Sequence, residues 1–139
     1  MKNAPSQPEF KVLVVDDVSE LRSFLTRCLK QMGCYEVHQA KDGIDAMQQL
    51  RKAHFDVVFL DIEMPKLNGL DTLERIHRAF PYIFVIMLSC HSSLDNVKTA
   101  ISSGAHGFVV KPFSPDKIEE ALGHFHQFIK KGRFKRNSK

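Results

Sequence analysis

No stretch of this chain stays apolar for long. The longest run, Tyr82 to Leu88, falls far short of the roughly 20 residues a membrane-spanning helix needs, so no membrane insertion is expected. Cysteine is scarce. Cys28, Cys34 and Cys90 are odd in number and lack CxxC spacing, which excludes a disulfide framework and a zinc site. Residues 1–9 hold two prolines and no apolar h-region, so they predict a disordered leader rather than a signal peptide. These absences together predict a cytoplasmic protein. The 139 residues, 43% hydrophobic, leave room for one domain with a real core, over residues 10–130, and none for a second. Internal repeats are absent, as are low-complexity segments outside the C-terminal tail.

Acid is missing from the last ten residues, where Lys130, Lys131, Arg133, Lys135, Arg136 and Lys139 account for the whole excess of positive charge. The rest of the chain has 14 basic against 16 acidic residues, a net of −2. A basic tail, here residues 131–139, can hold nucleic acid, an anionic membrane surface or an acidic partner, and it can equally be a solvated terminus. Nucleic acid is not expected as a partner of the domain itself.

What is present centres on Phe55 to Pro65, an apolar run that ends on a carboxylate, Asp61, and breaks at a proline. Val57 to Leu60 are apolar in unbroken succession, the pattern of a strand buried on both faces. Taken alone, Asp61 also suits a turn. The same pattern recurs, however. Lys11 to Val15 runs into Asp16-Asp17, Tyr82 to Leu88 into Ser89, and Gly107 to Val110 into Lys111-Pro112. Tyr35 to Ala40 instead alternates apolar and polar, as a sheet-edge strand with one wet face does.

Between the strands, apolar residues fall at helical spacing. Leu21, Phe24, Leu25, Cys28, Leu29 and Met32 form one stripe before Gly33; Ile44, Met47 and Leu50 mark a second helix. Leu70, Leu73, Ile76 and Phe80 give a third helix ending before Pro81, and Leu94, Val97, Ala100 and Ile101 a fourth before Gly104. Ser114-Pro115 has cap and first-turn chemistry for a last helix through Ile118, Leu122, Phe125 and Ile129. Cys28 belongs to an apolar stripe and is expected in the core. His124 and His126, two apart on a helix, point to different faces, which argues against a shared metal.

Five alternations of strand and helix predict an α/β fold: a parallel sheet with right-handed crossovers and helices on both faces, a three-layer sandwich. With the second strand at an edge, the order 2-1-3-4-5 follows, and the crevice opens between the first and third strands. Asp16, Asp17, Asp61, Ser89 and Lys111 then converge at the C-terminal ends of four adjacent strands. Three close carboxylates raise each other's pKa unless cations compensate, which Lys111 and a hard divalent ion would do. Oxygen donors with room for phosphate suit Mg²⁺. A carboxylate, a hydroxyl and an ammonium around such an ion describe a phosphoryl receptor with Asp61 as nucleophile.

Asp16-Asp17 after the first strand, Asp61 with Met64-Pro65 after the third, Ser89 after the fourth and Lys111-Pro112-Phe113 after the fifth resemble the response regulator receiver domain family, over about residues 10 to 130. The resemblance implies the flavodoxin-like (βα)5 fold. It implies that Asp61 accepts phosphate from a histidine kinase or a histidine phosphotransfer protein. Mg²⁺ would be held by Asp17, Asp61 and the backbone carbonyl of Glu63, with Asp16 acting through water. Lys111 would pair with the phosphoryl group, next to a cis peptide to Pro112. Ser89 and Phe108 match the family's switch positions, although Phe108 also suits any buried strand. Cys90, Glu63 and His91 depart from the commonest pattern; the resemblance implies that Cys90 would narrow access to the phosphate and that Glu63 and His91 would border the path of attacking water. The chain would act on itself alone, through phosphorylation and autodephosphorylation at Asp61, and not as an enzyme on a separate substrate.

Three rival assignments fit less well. A haloacid dehalogenase resembles Asp-x-Asp with a cap, whereas the acids here are adjacent and no cap insertion is present. A flavodoxin would meet its phosphate with Asp16-Asp17, which repel it. A receiver-like binding module that is never phosphorylated would not need the full set of site residues. The tail has no Pro-rich or Gln-rich linker, which predicts a single-domain regulator acting on an output partner protein; the alternative is the receiver of a larger DNA-binding or enzymatic regulator.

Overall fold

Val12, Leu13, Val14 and Val15 are all fully buried, so over these four residues the strand they end, β1 (Phe10–Val15), has no wet face. The computed structural model describes residues 9–64, 67–90 and 94–132. In chain order they form β1, α1 (Ser19–Met32), β2 (Tyr35–Ala40), α2 (Gly43–Lys52), β3 (Val57–Asp61), α3 (Gly69–Ala79), β4 (Phe84–Ser89), α4 (Leu94–Ser102), β5 (Gly107–Val110) and α5 (Pro115–Lys130). The strands are all parallel, in the order β2-β1-β3-β4-β5. Chain direction across the sheet therefore reverses between β1 and β3, as the edge character of the second strand predicts.

Because successive strand residues point to opposite faces, the two faces collect separate cores. Val12, Val14, Val57, Phe59, Phe84, Ile86 and Leu88 pack with Leu25 and Leu29 of α1 and with Ile118, Leu122 and Phe125 of α5. Leu13, Val15, Val58, Leu60, Val85 and Met87 pack with Met47 and Leu50 of α2, Leu73 and Ile76 of α3 and Ala100 of α4. The result is the expected three-layer sandwich. Each fully buried Leu, Ile or Phe contributes about 1.5–3 kcal/mol of transfer free energy. Cys28 is buried in α1, as its stripe predicts.

Helix starts follow local chemistry. Asp42, Asn68 and Ser114 accept from the backbone N–H of Asp45, Asp71 and Lys117 at 2.8, 3.0 and 3.4 Å, capping α2, α3 and α5. Gly33 ends α1 with φ +84°, a left-handed stop. One strand boundary moves. Tyr82 and Ile83, apolar and read as strand, precede β4 in a turn closed by the Ile83 N–H to the Phe80 carbonyl. Ile83 is buried by packing rather than by sheet pairing.

Among the described residues, no helix is long and apolar enough to cross a membrane. Residues 1–8 of the leader, Pro65, His91 and residues 133–139 of the tail lie outside the described residues. Glu9, at the end of the expected leader, donates its N–H to the Cys34 carbonyl at 3.0 Å.

Candidate functional site

Four of the five strand ends, those of β1, β3, β4 and β5, contribute a side chain because each of these apolar runs stops at the rim of the sheet. Asp61 is the last residue of β3 and almost completely buried; Asp16 follows β1 and is fully buried; Asp17 is exposed. One carboxylate oxygen from each of the three lies within 4.8 Å of the others. Lys111, first after β5, sends Nζ between two of them, 3.0 Å from Asp16 Oδ2 and 3.1 Å from Asp61 Oδ1. The peptide joining Lys111 to Pro112 is cis, as the family resemblance implies.

Backbone contacts fix these tips. The Lys111 N–H donates to the Ser89 carbonyl at 2.8 Å, and Ile62 N–H to the Leu88 carbonyl at 2.9 Å. Gly69 N–H donates to the Ile62 carbonyl at 2.9 Å, bringing the start of α3 against the end of β3. That approach requires glycine, since a Cβ at 69 would collide with the Asp61 carbonyl group. Asp16 Oδ1 accepts from Val18 N–H at 2.9 Å, which serves the start of α1 where Val18 has no capping side chain. Arg22 Nη1 donates to the Asp16 carbonyl at 2.6 Å and Nε to Gln39 Oε1 at 3.0 Å, tying the β1 tip to β2. Nothing in the residue spacing signalled Arg22.

The electrostatics follow from this crowding. Burial and the Asp16 carboxylate push the Asp61 carboxyl up to about 7, against the pull of Lys111, with Glu63 adding to the rise. Burial alone would lower Lys111, but the neighbouring Asp16 and Asp61 outweigh it, so the ammonium is held above its usual range. Asp16 Oδ2 is buried with the Lys111 ion pair beside it and no aligned hydrogen bond. Three carboxylates, one with an oxygen unsatisfied by hydrogen bonds, form a hard, oxygen-only donor set. They fit a divalent metal ion.

Ser89, the last residue of β4, is fully buried. Its hydroxyl donates to Glu63 Oε2 at 2.8 Å, and Cys90 N–H donates to Glu63 Oε1 at 3.3 Å. Sequence reasoning placed Glu63 beside the site through its backbone carbonyl; the reach of its side chain across to β4 was missed. Its reach follows from the register, which the linear sequence does not show. Asp61 pairs with Leu88, so the chain two residues further on comes level with Ser89 and Cys90. Phe108 is half-buried against the α2–α4 face. Met87 pairs with Phe108 and Ser89 with Val110, which places Phe108 diagonally from Ser89 on one face of the sheet.

A groove of about 390 Å³ lies not over the carboxylates but between β5 and α5, where Phe108, Lys117, Glu120 and His124 line it. A site for a phosphoryl group needs no deep pocket. The two helix histidines diverge as expected: His126 Nε2 meets the Tyr35 hydroxyl at 2.7 Å, while His124 is exposed at the groove.

Known proteins share this fold. A family model described as the response regulator receiver domain matches residues 12–123. The chain is 37% identical over 112 residues to a chemotaxis protein CheY of Listeria monocytogenes, covering 81% of this chain and 94% of the relative. It is 32% identical over 114 residues to chemotaxis protein CheY-3 of Vibrio cholerae, covering 81% and 88%. Among solved structures, a receiver domain protein of Clostridium thermocellum superposes with a TM-score of 0.80 at 31% identity, covering 87% of this chain and 97% of that one. A CheY-like receiver of Methanospirillum hungatei gives 0.82 at 25% identity, covering 88% and 98%. With the residues at four strand tips, the strand order and the family match all in agreement, the chain belongs to the response regulator receiver domain family.

Proposed function

We propose that this receiver accepts a phosphoryl group on Asp61 from the phospho-histidine of a histidine kinase or histidine phosphotransfer protein. The observation that carries the reading is Lys111 Nζ within 3.1 Å of Asp61 at the mouth of a three-carboxylate cluster. Asp61 Oδ attacks phosphorus, the P–N bond of the donor breaks with its electron pair leaving on the imidazole nitrogen, and an acyl phosphate remains on Asp61. Lys111, already held between Asp16 and Asp61, neutralises charge on the transferred group without moving far. Asp17, Asp61 and the Glu63 backbone carbonyl would hold Mg²⁺, with Asp16 through water. When bound, that ion supplies charge neutralisation to phosphoryl oxygens and keeps Asp61 ionised.

The Ser89 hydroxyl, turned toward the phosphate, would vacate space on the face it shares with Phe108. Phe108 lines the groove between β5 and α5, so the shape of that groove carries the signal to an output partner protein. The chain modifies only itself, at Asp61, and turns over no separate substrate. Phosphorus NMR tests the assignment. With Mg²⁺ and phosphoramidate, which presents the same P–N bond, an acyl-phosphate resonance should grow, and it should fail to appear when Mg²⁺ is chelated before the donor is added. Equal signal from Asp61→Asn would place the acceptor elsewhere.

A further inference from the structure

Glu63 leaves the end of β3 two residues beyond Asp61, and its side chain crosses to the tip of β4. There one planar anion meets two donors, the Ser89 hydroxyl at 2.8 Å and the Cys90 backbone N–H at 3.3 Å. Such a pairing of hydroxyl and backbone N–H is a small oxyanion receptor. A carboxylate and a phosphoryl group compete for the same donors, and a hydroxyl has a single proton to give. Ser89 directs its proton at Glu63.

Both donors belong to the strand next to Asp61, and Asp61 is paired with Leu88, the residue before Ser89. A phosphoryl oxygen on Asp61 that turns toward β4 therefore reaches the place Glu63 already fills. We propose that Glu63 is a built-in occupant of the phosphoryl receptor, holding Ser89 and Cys90 in the unphosphorylated protein and leaving both when a phosphoryl group is held. The inference rests on the reading of Asp61 as acceptor. Glu63 itself is exposed, so its carboxylate can swing into water, where it is solvated, at the cost of these two hydrogen bonds. Displacement is thus feasible but taxes every anion that takes its place. Glutamate length matters: aspartate would keep the charge but stop one methylene short of Ser89.

Affinity for trifluoroberyllate, an unreactive phosphoryl stand-in, tests this in the full chain with Mg²⁺, followed through the Cys90 amide resonance. Glu63→Ala and Glu63→Asp should each bind it about tenfold more tightly than the parent, the equivalent of one charge-assisted hydrogen bond released. Both should also shift the free-state Cys90 amide. In a Ser89→Ala background the gain from Glu63→Ala should shrink. Parent-like affinity in Glu63→Asp beside a gain in Glu63→Ala would show that charge alone acts, and overturn the proposal. Parent-like affinity in both would overturn it as well, while binding by the parent would leave the Asp61 receptor standing. No binding by any chain, the parent included, would remove the receptor reading and this inference with it.

Discussion

Lys111 Nζ lies 3.1 Å from Asp61 Oδ1 although the two residues are 50 positions apart in the chain. The contact exists because β3 and β5 flank β4 in a parallel sheet and all three end at one rim. It makes Lys111 the internal counter-ion of the carboxylate cluster.

Lys111→Ala should therefore leave Asp16 and Asp61 uncompensated in a buried place. Removing one partner from a buried pair costs about 3 kcal/mol or more. The variant should unfold at lower denaturant than the parent in a metal-free buffer, and Mg²⁺ should raise its midpoint more than it raises the parent's. Equal Mg²⁺ responses would show that metal and lysine do not share a role. The variant should still accept phosphate but respond to it poorly, which partner-binding measurements on the labelled chain will read.

Asp61→Asn should stabilise the fold at neutral pH. Burial and Asp16 hold the Asp61 carboxyl at about 7, above its ordinary 3.8. Between those values the folded chain keeps a proton that the unfolded chain has released, so stability falls as pH rises through that window. Asparagine has no such titration. The variant should exceed the parent by roughly 2–4 kcal/mol near pH 8, with the gap closing toward about pH 4. Denaturant midpoints that coincide near pH 8 would contradict it.

His106 predicts a slope of opposite sign. Its ring stacks on Phe84, and Nδ1 accepts from Val85 N–H at 3.1 Å, a bond that needs the unprotonated nitrogen. Burial, aided by His77, lowers its pKa from 6.5. The unfolded chain gains a proton first on acidification, so this contribution is present above about 6.5 and is lost as pH falls below it. His106→Gln, which retains an acceptor, should flatten the stability profile on the acid side of that value; an unchanged slope would assign it to other groups.

Two glycines should respond in opposite directions to alanine. A Cβ at Gly69 would meet the Asp61 carbonyl, while one at Gly123 in α5 meets nothing within 4 Å. Gly69→Ala should destabilise by about 2 kcal/mol or more and disturb the acceptor. Gly123→Ala, in an exposed helix interior, should stabilise by about 0.5–1 kcal/mol. Thermal unfolding of the pair separates a packing requirement from a helix-propensity cost.

The strand tips were legible because a run buried on both faces has no place for a polar or charged side chain until it reaches the rim of the sheet. Asp16, Asp61, Ser89 and Lys111 each mark such an exit. The sheet order was legible from the alternation in Tyr35 to Ala40, which only an edge strand tolerates. Other features were not. Tyr82 and Ile83 read as strand because burial in a turn and burial in a sheet leave the same apolar signal. The first turn of α1, beginning at Ser19, carries no apolar residue before Leu21 to announce it. Arg22 and the Glu63 side chain act through contacts set by tertiary register, on Asp16 and Ser89 respectively, and register is invisible in a linear pattern.

The most direct test of the central claim is the intact mass of the purified chain after incubation with Mg²⁺ and acetyl phosphate, beside Asp61→Asn. The account predicts a gain of one phosphoryl group, about 80 Da, lost on treatment with hydroxylamine and absent from the variant. An equal gain in Asp61→Asn, or no gain in the parent under conditions where Mg²⁺ is bound, would contradict it.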